Sequence, residues 1–204
     1  MFVEQRSTEW LEERAGNCTA SRFADAIAFR KDGKPTADRQ AYMLQLVTER
    51  LTGRPATNFV TQAMQWGIDN EVIAKQLVSD RLDLEIDEAG FVRLPNLRVG
   101  CSPDGWLDFG KAVVEVKCPT STTHAQTMLD GMSDEHKPQI QGQLWVTGAE
   151  RALFVSFDPR MPVGLDLYHQ WVDRDQAYID ELEKKVRDFL TEVDALEQKL
   201  RSRF

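Results

Sequence analysis

The chain is poor in the residues that build soft-metal centres and disulfide frameworks. Its 204 residues include three cysteines, Cys18, Cys101 and Cys118, and three histidines, His124, His136 and His169. The cysteine number is odd and no Cys-x-x-Cys pair occurs. That argues against a zinc or iron–sulfur site and for reduced thiols in a cytosol. Cys118 is expected to serve as a small buried hydrophobe. The histidines lie far apart without metal-ligand spacing and are expected on the surface or internally satisfied. Long apolar runs are absent, so no segment is expected to span a membrane. The start, Met1-Phe2-Val3-Glu4-Gln5-Arg6, turns polar within four residues, unlike a signal peptide. Internal repeats and low-complexity tracts are also absent. What is there is ordinary: 42% hydrophobic and 28% charged residues, enough for one domain over residues 1–204 with a substantial core.

Positive charge is in deficit, with a formal net charge of −8 and a pI near 5.0. Phosphate contacts come from Lys and Arg, so a nucleic-acid partner has to meet a local patch. One candidate runs from Arg22 to Arg54, where Arg22, Arg30, Lys31, Lys34, Arg39, Arg50 and Arg54 face only Asp25, Asp32, Asp38 and Glu49. A locally basic face on an acidic protein is compatible with a DNA channel. The same charges also describe a solvated helix surface.

Periodicity and turn residues predict helices over 8–15, 19–28, 36–51 and 61–81, the second and third capped by Thr19 and Thr36. In the fourth, Trp66, Ile73 and Leu77 are expected on the apolar side. Strands are expected over 84–94, 97–101, 112–117, 152–157 and 165–171, and helices over 122–131 and 138–147. A long helix follows over 175–203, in which Ile179, Leu182, Val186, Phe189, Val193, Leu196 and Leu200 recur by three and four. That stripe is expected to pack on the body of the protein. The order predicts an α/β fold: N-terminal helices over 8–81, a mixed central sheet within 82–172, and the C-terminal helix.

The chemistry concentrates in Ser102-Pro103-Asp104-Gly105 and Val113-Val114-Glu115-Val116-Lys117-Cys118-Pro119. Glu115 and Lys117 stand two apart in a β-branched run, so a strand projects both from one face. Asp104 sits at a Pro-Asp-Gly turn, and Asp108-Phe109-Gly110-Lys111 reads as a hairpin connection that returns the chain. A hairpin brings Asp104 beside Glu115. Two carboxylates and the Val116 carbonyl are the hard oxygen ligands that Mg²⁺ prefers. A bound metal lowers the pKa of water and polarises a phosphate, and Lys117 can orient that water and offset charge. Taken alone, an alternating Glu-x-Lys run also describes an edge strand with one solvated face.

Pro103-Asp104…Glu115-x-Lys117 resembles the signature of the PD-(D/E)XK nuclease superfamily, whose restriction-endonuclease-like fold also matches the order of elements. The likeness extends to the phage lambda exonuclease and YqaJ-type viral recombinase family. It is carried by Trp10-Leu11-Glu12-Glu13-Arg14-Ala15-Gly16 with Thr19-Ala20-Ser21, and by Trp66-Gly67-x-x-Asn70-Glu71. Cys101-Ser102-Pro103-Asp104-Gly105 and Glu115-Val116-Lys117-Cys118-Pro119 carry it in the core. Gln139-Ile140-Gln141-x-x-x-Trp145-Val146-Thr147 and Asp158-Pro159-Arg160-Met161 carry it further on.

The resemblance implies a magnesium-dependent exonuclease that degrades the 5′-ended strand of linear double-stranded DNA. It would release mononucleotides and leave a 3′ overhang for phage-type recombination by strand annealing. It also implies two Mg²⁺ ions, with Mn²⁺ as a substitute, a toroidal homotrimer, a single-strand annealing protein as partner, and a phage or prophage gene product in the bacterial cytoplasm. By the same resemblance Asp104, Glu115, Val116 and Glu71 hold metal, Lys117 stands beside the attacking water, and Gln141 touches the active site. Arg14, Ser21 and Ser102 match positions that bind the terminal 5′ phosphate. Lys31 and Lys34 lie in a loop like one near the incoming duplex, although its residues differ. The family can carry a basic residue after Cys-Pro, where this chain has Thr120-Ser121-Thr122-Thr123-His124. From residues alone, Glu71 is also a solvated helix acid and Gln141 an ordinary helix residue. The core motif is shared by endonucleases, and a non-catalytic DNA-end-binding scaffold can keep the fold.

Overall fold

The computed structural model describes residues 3–56 and 60–203. Helix α1 (Thr8–Arg14) leads into strand β1 (Cys18–Thr19), a 3-10 turn (Ala20–Arg22) and a short helix α2 (Phe23–Ala26). Helices α3 (Ala37–Thr52) and α4 (Gln62–Leu82) precede strands β2 (Val92–Arg93), β3 (Val99–Cys101), β4 (Gly105–Leu107) and β5 (Ala112–Lys117). Helices α5 (Ser121–Asp130) and α6 (Lys137–Thr147), strands β6 (Arg151–Phe157) and β7 (Leu167–Asp173) and helix α7 (Gln176–Arg201) complete the order. The helix starts follow their caps. Ser7, Thr36, Thr61, Thr120 and Asp175 each accept a backbone N–H of the first turn, which satisfies a donor the helix leaves open. No described helix is long and apolar enough to cross a membrane.

The strands form two sheets where the sequence predicts one. A three-stranded sheet has the order β1-β3-β2, and a four-stranded mixed sheet the order β4-β5-β6-β7. In the second, β5 pairs antiparallel with β4 and parallel with β6. Inner strand β5 is buried on both faces, which its β-branched run permits. Ala112, Val114 and Val116 face Ala74 and Val78 of α4, while Val113 joins Ile140 and Leu144 of α6. Period-two alternation therefore puts Glu115 and Lys117 on the α6 side.

Three predicted elements differ. The expected strand over 84–94 shrinks to Val92–Arg93 and one bridge from Asp87 to Trp106. Its acidic middle, Glu85, Asp87 and Glu88, resists burial on a sheet face. The expected helix over 19–28 is broken, because Thr19 pairs with Gly100 and its N–H is taken by the Tyr42 hydroxyl at 2.9 Å. In α4 the inward face is Asn70, Ala74 and Val78, with the expected Leu77 packed beside them, whereas Ile73 is 52% exposed. The small residues four apart let α4 approach β5 closely, and they outweigh the bulk of Ile73. On α7 the predicted stripe does turn inward: Ile179, Leu182, Val186, Phe189 and Val193 are buried, with Leu196 and Leu200 packed beside them.

Candidate active site

Asp104 is fixed at the mouth of the β4–β5 hairpin. Its N–H donates to the Val114 carbonyl at 2.9 Å, and its Oδ2 accepts the Val116 N–H at 2.6 Å. The Pro-Asp-Gly sequence ends β3 and starts β4, and Gly105 lets the backbone pass under Ile86, whose Cγ2 would lie 2.4 Å from an added Cβ. Glu115 is buried beside it. Its Oε1 accepts Lys117 Nζ at 2.6 Å and Gln139 Nε2 at 2.5 Å, and its Oε2 accepts Gln143 Nε2 at 2.5 Å. Lys117 also donates to Gln139 Oε1 at 3.0 Å. The structure thus gathers Asp104, Glu115 and Lys117 at one end of β5.

The glutamine expected at the site is not there. Gln141 is buried on the other side of α6, donating to the Asp173 carbonyl at 2.9 Å and accepting the Asp175 N–H at 2.9 Å. At about 100° per residue, positions 139 and 143 share a face and 141 lies nearly opposite. Gln141 therefore ties α6 to the β7–α7 turn, and Gln139 and Gln143 touch Glu115. Helical phase applied to Gln139-Ile140-Gln141-Gly142-Gln143 is the signal that separates them.

Glu71 approaches from α4. It pairs with Arg6, which also hydrogen-bonds it, and stands 3.9 Å from Lys75 Nζ. Lys75 in turn donates to the Asp104 carbonyl at 3.0 Å and pairs with Glu88 at 3.1 Å. Neither Arg6 nor Lys75 was marked by the motifs, although Lys75 is one helical turn past Glu71. Burial, then the charges of Glu115 and Glu71, raise the Asp104 carboxyl well above the usual range. For Lys117, burial works to lower its pKa, but Glu115 and the other acids outweigh it and the ammonium is held above its ordinary value. Three acids are therefore crowded against cations and amides.

Among the described residues no three His, Cys, Asp or Glu side chains form a ready-made metal cage. The donor chemistry nonetheless fits a hard divalent cation: the side-chain donors are carboxylate oxygens, and their mutual repulsion is what a cation relieves. Arg6, Lys75 and Lys117 carry that balancing charge here.

A second group lies beside it. Arg14 Nη1 and Trp10 Nε1 both donate to Ser102 Oγ, each at 3.0 Å, and the Arg14 guanidinium stacks 4.1 Å from the Trp10 ring centroid. Arg14 has no carboxylate partner among the described residues, and burial lowers its pKa. It lines a cavity of about 260 Å³ with Thr19, Ser21, Arg22 and Tyr42. Ser102 lies two residues before Asp104 and links the cavity to the carboxylates.

Lys31 and Lys34 are exposed on a loop closed by a bridge between Phe29 and Pro35. The wider basic face is smaller than its sequence promises. Arg39 is buried against Glu192 of α7 at 2.8 Å, and Arg50 against Asp194 at 2.6 Å. His124 is buried and satisfied by Ser156 Oγ and the Leu165 carbonyl. Cys18 and Cys101 are buried thiols, and Cys118 is partly buried against the α4 side of the sheet.

The family model for the YqaJ-like viral recombinase domain matches residues 9–150. Among solved structures, the chain is similar to an alkaline exonuclease, LHK-Exo, from Laribacter hongkongensis. They share 34% identity over 97% of each chain, with a TM-score of 0.87. The same enzyme in complex with dAMP matches with a TM-score of 0.88, again at 34% identity over 97% of each chain. A phage-related exonuclease from Haemophilus somnus 129PT shares the fold at 16% identity, with a TM-score of 0.70 over 90% of this chain and 96% of that one. No curated protein matches significantly.

Proposed function

Since the chain belongs to the YqaJ-like viral recombinase domain family, we propose that it is a metal-dependent exonuclease that digests the 5′-ended strand of linear double-stranded DNA. The observation that carries this reading is the convergence of Asp104, Glu115 and Lys117 at one end of β5. The similarity to an alkaline exonuclease along nearly the whole chain supports it.

Asp104, Glu115, Glu71 and the Val116 carbonyl would hold Mg²⁺, with room in the acid count for two ions and with Mn²⁺ as a substitute. When bound, the metal supplies an activated water and polarises the scissile phosphate. Lys117 stays protonated beside Glu115, so it orients that water and offsets negative charge on the phosphate rather than removing a proton. Gln139 bridges Lys117 and Glu115 and keeps both in position, and Gln143 holds the far oxygen of Glu115. Arg14, Ser102 and Ser21 would grip the terminal 5′ phosphate. Arg14 offers a fork of donors with no carboxylate partner among the described residues. Lys31 and Lys34 would meet the incoming duplex. That the similar enzyme was solved with dAMP supports a mononucleotide product. Family membership likewise supports a homotrimeric ring, a single-strand annealing partner and a site of action in the host cytoplasm.

Linear and covalently closed circular forms of one plasmid, incubated with the protein and Mg²⁺, test the reading. Loss of the linear form with survival of the circle is expected. Cutting of the circle points to an endonuclease, and binding without cleavage to a scaffold.

A further inference from the structure

The motif after β6, Asp158-Pro159-Arg160-Met161, has no part in the mechanism above. It leaves the sheet beside the site. Ser156, near the end of β6, pairs in register with Lys117, which puts Asp158 two residues past that pairing. Asp158 is fully buried. Its carboxylate accepts Arg160 Nε at 2.7 Å, Nη2 at 3.1 Å and the Arg160 backbone N–H at 3.0 Å. The same Nη2 donates to the carbonyl of Pro119, two residues past Lys117, at 3.0 Å. The guanidinium also lies 4.4 Å from the ring centroid of Trp66, five residues before Glu71 on α4.

Arg160 is thus held by an acid, a carbonyl and an aromatic ring, yet its side chain stays 48% exposed. Its Nη1 has no hydrogen-bond partner among the described residues. The ring that supports it keeps a buried, unpartnered Nε1 among those residues, a cost that a role for the ring's position would explain.

We propose that Arg160 is a phosphate-binding residue at the mouth of the site, positioned by Asp158 and Trp66. Its ligand is a backbone phosphodiester of the DNA strand held for hydrolysis, so the assignment rests on the nuclease reading. The fork is pre-oriented by Asp158, and its free edge presents donors to phosphate oxygens at little ordering cost.

The test is equilibrium binding of a 5′-phosphorylated linear duplex, followed by fluorescence anisotropy in EDTA over a range of salt. Removing Arg160 alone would leave Asp158 buried without a cation, so the paired variant D158N/R160Q removes both charges. Its fold is checked by circular dichroism. Affinity is expected to fall about tenfold, and the slope of log K against log salt to become shallower by about one phosphate contact. R160K keeps the charge but loses the fork, so it should keep the slope and lose part of the affinity. A folded double variant with wild-type slope and affinity overturns the proposal and leaves Arg160 as a counter-ion alone. If the double variant does not fold, wild-type affinity in R160K does the same. A wild-type protein that binds no duplex at any salt overturns the nuclease reading first.

Discussion

Asp104 is the residue most exposed to the cost of building this site. Its carboxyl is raised well above its ordinary value by burial and by two neighbouring acids, so its ionised form carries a cost that a bound cation would relieve. Asp104→Asn keeps an oxygen for the Val116 N–H and removes the repulsion. It should abolish cleavage and raise the metal-free melting temperature by roughly 2–4 °C, about 1 kcal/mol at this chain length. Differential scanning calorimetry with EDTA reads the second effect; a lower melting temperature would contradict the electrostatic account. The glutamines of α6 give a paired prediction. Gln139→Ala should lower turnover by about 10- to 100-fold with little change in stability, as for a residue that orients site groups. Gln141→Ala should instead cost about 1–3 kcal/mol, because it removes a buried side chain and its two hydrogen bonds to the part-buried β7–α7 turn. Its turnover per folded molecule should remain. Thermal melts and single-turnover rates on both variants separate the roles. The motif residues were legible here because Asp104, Glu115 and Lys117 are set by a hairpin and a period of two. Gln141 lies in the matching block yet points away from Glu115, because its direction is set by the period of 3.6 and not by the block's residue types.

Helix α6 is the element that ties the site to the rest of the molecule. Its Gln139 and Gln143 face Glu115, while Gly142 meets Phe23, where an added Cβ would lie 2.4 Å from the ring. A methyl there has to push Phe23 or tilt the helix. Gly142→Ala should destabilise by about 1–3 kcal/mol, the usual cost of overpacking, and should lower activity with it. A chemical denaturation curve reads the first and single-turnover cleavage the second; wild-type values in both would show that α6 tolerates displacement. At this scale the sequence is legible where a cap or a strong period marks the element, as in α3, β5 and α7. It was not legible at 19–28 and 84–94. Those segments take their form from long-range partners, Tyr42 and Gly100 for the first and Trp106 for the second, which no local window contains. The basic face failed for the same reason: the acids that absorb Arg39 and Arg50 lie on α7, more than a hundred residues away.

Across the whole molecule, the ion pairs set the acid limit. The Arg160 pair and other hydrogen bonds hold the buried Asp158 at about 2, below its ordinary 3.8. A depressed carboxylate stabilises the fold fully above its ordinary value and loses that contribution as pH falls towards 2. Asp104 has the opposite sign, since its raised pKa makes the folded state take up a proton first. The metal-free melting temperature should therefore rise on mild acidification and fall steeply below about pH 4, with the rise missing in Asp104→Asn. Melts across pH in EDTA check both limbs. The central claim is that this assembly of acids and lysine removes nucleotides from the 5′ end of duplex DNA. The most direct measurement is digestion of a linear duplex labelled at either end, with and without a 5′ phosphate, in Mg²⁺, with Lys117→Ala as control. The account predicts stepwise loss of the 5′ label, survival of the complementary 3′-ended strand, faster attack on phosphorylated ends, and no cleavage by the variant. Loss of the 3′ label first, internal cuts, or an intact duplex would contradict it.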